Sequence, residues 1–405
     1  MISQILLVLT IWSAAACKNS DSVEASGVVA SGPEPAAIQV GAQRTSEYYP
    51  LLAGKRVGVV VNQTSMIGNT LLPEALQGAG FEVTAIFAPE HGFRGEQEAG
   101  ESVSNGKDQK TGIPIVSIYG KRKKPTAADM KEVDIMIFDI QDVGARFYTY
   151  ISTMTYVMEA CAENNIPLIV LDRPNPNGFY VDGPVRRTGY ESFVGIHPVP
   201  IVHGMTVGEY AKMVNGEGWL SGGLTCELTV ITCEGYDHKM KYDLPVPPSP
   251  NLKTMRSIYL YPSLCLFEGT NFSVGRGTPD PFSVVGSPYV RGYRFSFVPS
   301  KKFSRSEPVF EDETCYGIDL RTMPIDSVAD GRIHLEYLMK MYKAFDPGQE
   351  FFRSDGFFDK LAGNDVLAEQ LRARLSEEEI RLSWQDELIR FKAIRKKYLL
   401  YPDFE

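Results

Sequence analysis

The sequence predicts an α/β protein with two domains: a Rossmann-like parallel sheet domain at 46–235 and a smaller α/β domain at 236–405. The chain has 405 residues, which is long enough for two hydrophobic cores. From residue 56 onward, short β-branched runs alternate with stretches that suit helices, which is typical of a parallel sheet with crossover helices. A proline-rich segment at 242–254 marks a change in sequence character toward the second domain.

The N-terminal residues predict export. Residues 1–17, "MISQILLVLTIWSAAAC", form a short apolar stretch that ends in small residues and a cysteine, as in a bacterial lipoprotein signal peptide. Cys17 would then carry the lipid, and the protein would be periplasmic or membrane-anchored; an uncleaved anchor is the alternative. Residues 18–45 are rich in Ser, Gly, Ala and Pro, which predicts a flexible linker.

Five hydrophobic runs predict the strands of the sheet. They span 56–65, 81–92, 113–120, 133–144 and 166–178. Their near-continuous hydrophobicity is typical of strands that are buried on both faces. The intervening segments, such as 65–80 and 149–165, suit crossover helices.

Further elements follow along the chain. Thr206 is a candidate N-cap for a helix in "MTVGEYAKMVNGEGWL", and "LTCELTVITCEG" reads as another strand. The predicted second domain contains a glycine-rich loop, a β-rich part at 289–299, and late helices within 326–345 and 376–400.

Each of the five strand runs ends in polar or glycine-bearing residues. The C-terminal ends of parallel strands lie along one edge of a sheet, where ligands bind, so we expect these residues to converge. Asn62 in "NQTS" is the candidate substrate-binding residue after the first strand. The first strand is not followed by GxGxxG, and no phosphate-binding loop motif occurs, so we expect no cofactor.

The segment "PEHGFRG", at 89–95, places three ionisable groups on a glycine-flanked loop: Glu90, His91 and Arg94. A glutamic acid partly desolvated by apolar neighbours such as Phe93 could donate a proton near neutral pH. The alternative is a surface glutamate beside a loop histidine.

The segment "FDIQDVGARFYTY" provides Asp139, Asp142, Arg146 and Tyr148. The two aspartates could be paired carboxylates, or one could cap the next helix. Arg146 could hold a substrate carboxylate through a bidentate pair of hydrogen bonds, or it could form an internal ion pair with one of these aspartates.

The segment "LDRPNPNG" carries Asp172, Arg173 and Asn175 on a loop that two prolines stiffen. Amides and carboxylates together suit sugar hydroxyls, which both donate and accept hydrogen bonds. A plain Asn-Pro turn is equally compatible with the spacing.

The glycine-rich loop "EGTNFSVGRGT" offers Asn271 and Arg276 for ligand contact, although a tight inter-domain turn would have the same composition. The five histidines are scattered without HxH or HExxH spacing, so we predict no metal. His203 is a further candidate for contact with substrate, and local bonding is the other role open to it. The net charge of −9 argues against a nucleic-acid partner.

The cysteines after Cys17 are expected to be buried thiols, with a Cys226–Cys233 disulfide as the alternative.

Six segments in this order resemble the exo-β-N-acetylmuramidase family of NamZ-type glycosidases: "APEHGFRG", "DIQDVGARFYTY", "LDRPNPNG", "HGMTVGE", "PPSPN" and "EGTNFSVGRGT". The resemblance runs from about residue 50 to the C-terminus. It implies a Rossmann-like N-terminal domain, a smaller C-terminal domain and an active site between them. It also implies release of terminal N-acetylmuramic acid from the non-reducing end of peptidoglycan fragments.

Carried over from the family, Glu90 is the catalytic residue and His91 stands beside it. A glycosidase needs an acid for the leaving oxygen and a second group that stabilises the oxocarbenium-like transition state. Asp139, Asp142 or the 2-acetamido group of the substrate could fill the second role. Muramic acid carries a lactyl carboxylate, for which Arg94, Arg146 and Arg276 are candidate partners. A non-catalytic sugar-binding lipoprotein and a metal-dependent hydrolase are the competing hypotheses, and membrane contact is expected only through the N-terminal lipid.

Overall fold

A computed structural model describes residues 37–95, 97, 101 and 103–405. The predicted signal peptide, Cys17 and the predicted linker up to residue 36 lie outside these residues. Among the described residues, no helix is both long and apolar enough to cross a lipid bilayer.

The described chain contains strands and helices with the following bounds. The strands are β1 (Arg56–Val61), β2 (Met66–Ile67), β3 (Thr70–Leu71), β4 (Glu82–Ala88), β5 (Gly106–Lys107), β6 (Pro114–Ser117), β7 (Ile135–Asp139), β8 (Leu168–Leu171), β9 (Leu228–Ile231), β10 (Val284–Ser287), β11 (Ser296–Phe297) and β12 (Cys315–Asp319). The α-helices are α1 (Thr45–Leu52), α2 (Leu72–Gly78), α3 (Ala127–Met130), α4 (Tyr150–Asn164), α5 (Val207–Gly216), α6 (Met255–Leu264), α7 (Ile325–Val328), α8 (Leu335–Ala344), α9 (Phe357–Ala362), α10 (Val366–Arg372), α11 (Glu377–Leu382) and α12 (Gln385–Arg395).

In the described part of the chain, the central sheet has seven strands in the order β5-β6-β4-β1-β7-β8-β9. All neighbouring pairs are parallel except β5 with β6 at one edge. Numbered along the chain, the parallel strands have the order 3-2-1-4-5-6, which is that of the Rossmann fold. The predicted parallel α/β sheet is therefore confirmed, and the strand-like segment after Thr206 supplies its last strand, β9.

The sheet is buried on both faces. In β1, the side chains of Val57, Val59 and Val61 join one hydrophobic cluster and that of Val60 joins the other, because successive side chains of a strand point to opposite faces. The larger cluster continues into the C-terminal part of the chain as far as Phe391. The sheet and the C-terminal elements therefore share one continuous core.

The helices differ from the prediction in extent. The long helix expected at 149–165 is α4, and Asn165 ends it in the left-handed conformation with φ 54°. The segment at 65–80 forms only the short helix α2, because residues 66–71 pair as the hairpin β2–β3. The predicted capping by Thr206 is confirmed, since its Oγ1 accepts a hydrogen bond from the Glu209 backbone N at the start of α5.

The C-terminal part combines an antiparallel three-stranded sheet, ordered β10-β12-β11, with the late helices. The predicted helical segment at 326–345 begins within α7 and contains the whole of α8. Residues after α12 return to the first sheet, where the hydroxyl of Tyr401 donates to Asp172 at 2.6 Å and accepts from the Cys233 backbone N. The predicted boundary at 235/236 remains a prediction.

The last part of the predicted linker is packed rather than flexible. Val40 and Ala42 are buried, the Gly41 backbone N donates to the Asp172 carbonyl, and Gln39 forms a β-bridge with Glu234. These backbone hydrogen bonds and apolar contacts hold residues 39–42 against β8 and β9, which composition alone did not reveal.

Candidate active site

A cavity of about 520 Å³ lies at the C-terminal edge of the sheet. Its lining comes from both parts of the chain. The sheet side contributes Glu90, His91, Tyr119, Phe147, Tyr148, Thr149 and Phe193, and the C-terminal side contributes Tyr261, Cys265, Glu268, Arg276, Phe282, Glu307, Arg353 and Asp355. The predicted convergence of strand ends is therefore seen, but only some of the predicted residues reach the cavity.

Glu90 is half-buried in this cavity, two residues after β4 ends. Its Oε1 accepts a hydrogen bond from the Tyr119 hydroxyl at 2.7 Å, and its Oε2 accepts one from the Thr149 hydroxyl at 2.6 Å. The side chain is therefore fixed by groups that follow β6 and precede α4. The predicted apolar neighbour, Phe93, instead packs in the hydrophobic cluster that contains Val57 and Val59, and it lines a different surface pocket.

The turn after Glu90 has unusual backbone geometry. His91 has φ +68°, and Gly92 and Gly95 also have positive φ. A residue other than glycine rarely adopts this conformation unless its surroundings hold it there. His91 is buried, and its Nδ1 lies 2.7 Å from the Gln97 carbonyl oxygen, so the imidazole is anchored beside Glu90 at the cavity wall.

A second charged group in the cavity is the Glu268–Arg276 pair. Arg276 Nε donates to Glu268 Oε1 at 2.6 Å, and the guanidinium lies over the Phe282 ring, 5.1 Å from its centroid. Gly275 and Gly277 flank the arginine with φ of +82° and +78°. A Cβ on Gly275 would lie 2.6 Å from Val284, so glycine allows this loop to approach β10 closely.

Two other predicted residues lie at or next to the cavity. Tyr148 lines it, and its hydroxyl donates to the Pro248 carbonyl at 2.8 Å. Asn271 lines an adjoining space of about 200 Å³ together with Glu268 and Arg276. Its Nδ2 donates to the Glu350 carbonyl at 2.6 Å, so its amide is partly used by the backbone.

The predicted carboxylate candidates after β7 do not line the cavity. Asp139 is fully buried and forms two hydrogen bonds with Arg173. Asp142 is also buried, and its Oδ2 accepts from the Gly144 backbone N at 2.6 Å. Burial raises the pKa of the Asp142 carboxyl to about 7. The structure therefore does not bring Asp139, the predicted catalytic residue, or Asp142, a predicted substrate contact, to the cavity; both stabilise the loops behind it.

Two of the predicted arginines are also engaged elsewhere. Arg94 donates two hydrogen bonds to Asp108 and lines a separate pocket. Arg146 is 1% exposed and donates to the carbonyls of Pro184, Val199 and Leu361. Neither arginine lines the cavity, so the structure places neither guanidinium group where it could reach a ligand there.

The remaining predicted residues stabilise the strand ends. Asp172 accepts from Thr206, Tyr401 and the Gly208 backbone N, Asn175 donates to the Met205 carbonyl, and Asn62 accepts from Thr64. His203 accepts from the Met205 backbone N, as expected for a local role. All are buried and none lines the cavity, so the structure does not bring the predicted substrate-binding residues Asn62, Asp172, Arg173, Asn175 and His203 to it.

Sequence reasoning missed several residues that do line the cavity. Tyr119 follows β6, at one of the polar strand ends in the sequence. Because the C-terminal ends of parallel strands meet at one edge of a sheet, Tyr119 could have been identified as a site residue. Thr149 and Arg353 gave no such signal, because a threonine before a helix reads as a cap and Arg353 lies far along the chain.

Two further findings concern cysteines and metals. The described cysteines, Cys161, Cys226, Cys233, Cys265 and Cys315, are buried free thiols, which confirms the expectation and excludes the Cys226–Cys233 alternative. Across the described residues, no three His, Cys, Asp or Glu side chains are grouped so as to hold a metal ion.

Comparison with known proteins gives consistent matches. Residues 57–256 match the family model "Exo-beta-N-acetylmuramidase NamZ, N-terminal", and residues 259–401 match the corresponding C-terminal model. The peptidoglycan beta-N-acetylmuramidase NamZ of Bacillus subtilis (strain 168) is 40% identical over 375 residues, covering 88% of this chain and 89% of the relative.

Two crystal structures of DUF1343 family proteins from Bacteroides fragilis NCTC 9343 are also similar. One is 46% identical with a TM-score of 0.84, and the other is 30% identical with a TM-score of 0.77. Each alignment covers 90% of this chain and 99% of the other.

The Rossmann-like sheet, the acid-lined cavity and these matches define the protein as a glycosidase. Both halves of the chain match the two models of a single family in the expected order. The chain belongs to the exo-β-N-acetylmuramidase NamZ family.

Proposed function

We propose that the protein is an exo-acting glycosidase that releases terminal N-acetylmuramic acid from the non-reducing end of peptidoglycan fragments, with Glu90 as general acid. The observation that carries this proposal is the carboxyl group of Glu90, held at both oxygens in a cavity that also contains Arg276. The activity of the Bacillus subtilis relative supports the choice of substrate. The lipoprotein-type signal ending at Cys17 remains a prediction that agrees with a cell-wall substrate.

In this mechanism, protonated Glu90 gives its proton to the glycosidic oxygen while the bond from that oxygen to the anomeric carbon breaks. Hydroxyl groups can both donate and accept hydrogen bonds. Tyr119 and Thr149 can therefore hold the carboxyl group both before and after it loses the proton. His91 borders the same part of the cavity and shapes its wall.

The second catalytic role falls to a group inside the cavity. Asp139 and Asp142 are buried behind the cavity. Of the three candidates that the sequence suggested for this role, the 2-acetamido group of the substrate therefore remains. The structure adds Glu268, whose side chain is 23% exposed and paired with Arg276. This carboxylate can face the positive charge that develops on the sugar ring.

Arg276 is the proposed partner of the lactyl carboxylate. Its Nε is used by Glu268, and its terminal nitrogens are the groups that a substrate carboxylate would reach. Arginine suits this task because its planar donors match the two oxygens of a carboxylate. Arg353 lines the same cavity, where it pairs with Asp355.

The test is the hydrolysis of a chromogenic N-acetylmuramic acid glycoside by the full chain. The wild type is expected to release product, and Glu90→Gln to lose turnover by roughly 100-fold or more while still binding the sugar. Glu307→Gln is the matched control, because Glu307 lines the same cavity but its side chain is 75% exposed. Full activity of Glu90→Gln would remove Glu90 from the mechanism, and a wild type that binds without turnover would indicate a sugar-binding protein.

A further inference from the structure

Thr149 occupies the N-cap position of helix α4 but does not cap it. The side chain makes no capping hydrogen bond, and its φ and ψ of −74° and −3° are helical rather than extended. Its hydroxyl instead donates to Glu90 Oε2 at 2.6 Å. Threonine is favoured at N-caps because its side chain normally accepts a backbone N–H of the first turn, so this hydroxyl has another use.

Two of the other helices with an N-cap threonine illustrate the ordinary arrangement, which Thr126 before α3 also shows. Thr206 before α5 and Thr254 before α6 have extended backbones, and each hydroxyl accepts from the backbone N three residues later. The same residue type at the same position therefore caps these two helices and serves Glu90 at the third. Sequence departures from local rules tend to occur at functional sites.

Tyr119 completes the arrangement from the other side. Its hydroxyl donates to Glu90 Oε1 at 2.7 Å, and it comes from the loop after β6, whereas Thr149 precedes α4. Glu90 itself follows β4, the neighbour of β6 in the sheet. Two separate elements thus fix the two oxygens of a carboxyl group that a third element carries.

We propose that Thr149 and Tyr119 are positioning residues that hold the Glu90 carboxyl group in its reactive orientation, with the Thr149 hydroxyl diverted from helix capping to this task. The inference rests on the proposed role of Glu90. Fixing both oxygens restricts rotation about the last side-chain bond, so one oxygen keeps facing the cavity. Displacement of a catalytic group by about 1 Å can cost roughly 100-fold in rate.

The experiment compares Thr149→Val with Thr254→Val in the full chain. Thr149→Val is expected to lower kcat by roughly 10- to 100-fold, with KM and Tm close to wild type, because the lost hydroxyl orients the acid and does not cap the helix. Thr254→Val is expected to lower Tm and to leave kcat per folded molecule unchanged, because it removes a working cap. Thr149→Ser, which keeps the hydroxyl, should restore most of the rate.

Tyr119→Phe provides an independent measurement, since it removes the other hydroxyl without changing the size of the ring; it too should lower kcat with little effect on KM. The inference is overturned if Thr149→Val and Tyr119→Phe keep wild-type kcat, or if Thr149→Val lowers Tm as Thr254→Val does while kcat is retained. These outcomes differ from failure of the proposed function, in which Glu90→Gln itself would remain active.

Discussion

The guanidinium group of Arg173 binds both carboxylate oxygens of Asp139, with Nε–Oδ1 and Nη2–Oδ2 distances of 2.6 and 2.9 Å. Asp139 is fully buried at the end of β7, and Arg173 is 5% exposed. Each charge depends on the other because neither reaches water. The pair therefore joins the ends of two strands and keeps the Asp139 carboxylate out of the cavity.

Replacing Asp139 with Asn should destabilise the protein by about 3–5 kcal/mol, because it leaves the Arg173 charge buried without a partner. Urea unfolding followed by circular dichroism measures this loss. A double variant, Asp139→Leu with Arg173→Met, removes both charges and should lose less stability than the single variant. If Asp139→Asn kept wild-type stability and lost only kcat, the structural role would be wrong.

Arg276→Ala should reduce kcat/KM for muramic acid glycosides by roughly tenfold or more relative to glucosamine glycosides, because only the former carry the lactyl carboxylate. Parallel assays on the two substrates measure this ratio. Arg94→Ala is the control, since Arg94 pairs with Asp108 outside the cavity and should not change the ratio. Equal losses on both substrates in Arg276→Ala would argue against recognition of the carboxylate.

The His203 imidazole should make stability fall in acid. Burial lowers the pKa of His203 to about 3, and the positive charges of Arg395 and Arg146 act in the same direction. An unfolded histidine has a pKa of about 6.5. Below about pH 6.5 the unfolded chain therefore binds a proton that the folded chain does not, and stability decreases toward the folded pKa.

The measurement compares the wild type with His203→Asn, whose amide oxygen can still accept from the Met205 backbone N. Between about pH 7 and about pH 5, the wild type should lose about 2 kcal/mol of unfolding free energy more than the variant. The comparison between variants is needed because the raised pKa of Asp142, a consequence of burial, acts in the opposite direction over much of this range. Parallel pH profiles for the two proteins would contradict the prediction.

The sheet could be predicted from sequence because its signal is local. The runs that became β1, β4, β6, β7 and β8 are continuous and apolar, and each is followed by polar residues, so both the strands and their functional edge follow from the pattern. Helix α2 was predicted too long, since the short hairpin before it has no comparable signal.

The site was predicted less well because residue type does not reveal the direction of a side chain. Glu90 and Asp139 both lie at strand ends, but one reaches the cavity and the other turns toward Arg173. Among the arginines, Arg276 lines the cavity, whereas Arg146 is used by backbone carbonyls. Such pairings depend on residues far apart in sequence, which the local pattern does not contain.

The contact between Tyr401 and Asp172 has a practical consequence for work with fragments. Asp172 lies in the first half of the chain, and its carboxylate is satisfied in part by a hydroxyl from the last few residues. Arg395 likewise reaches back to the Gly204 carbonyl. Expressing the Rossmann-like half alone would expose these groups, so truncated variants and C-terminal affinity tags have to preserve the return of residues 395–401 to the sheet.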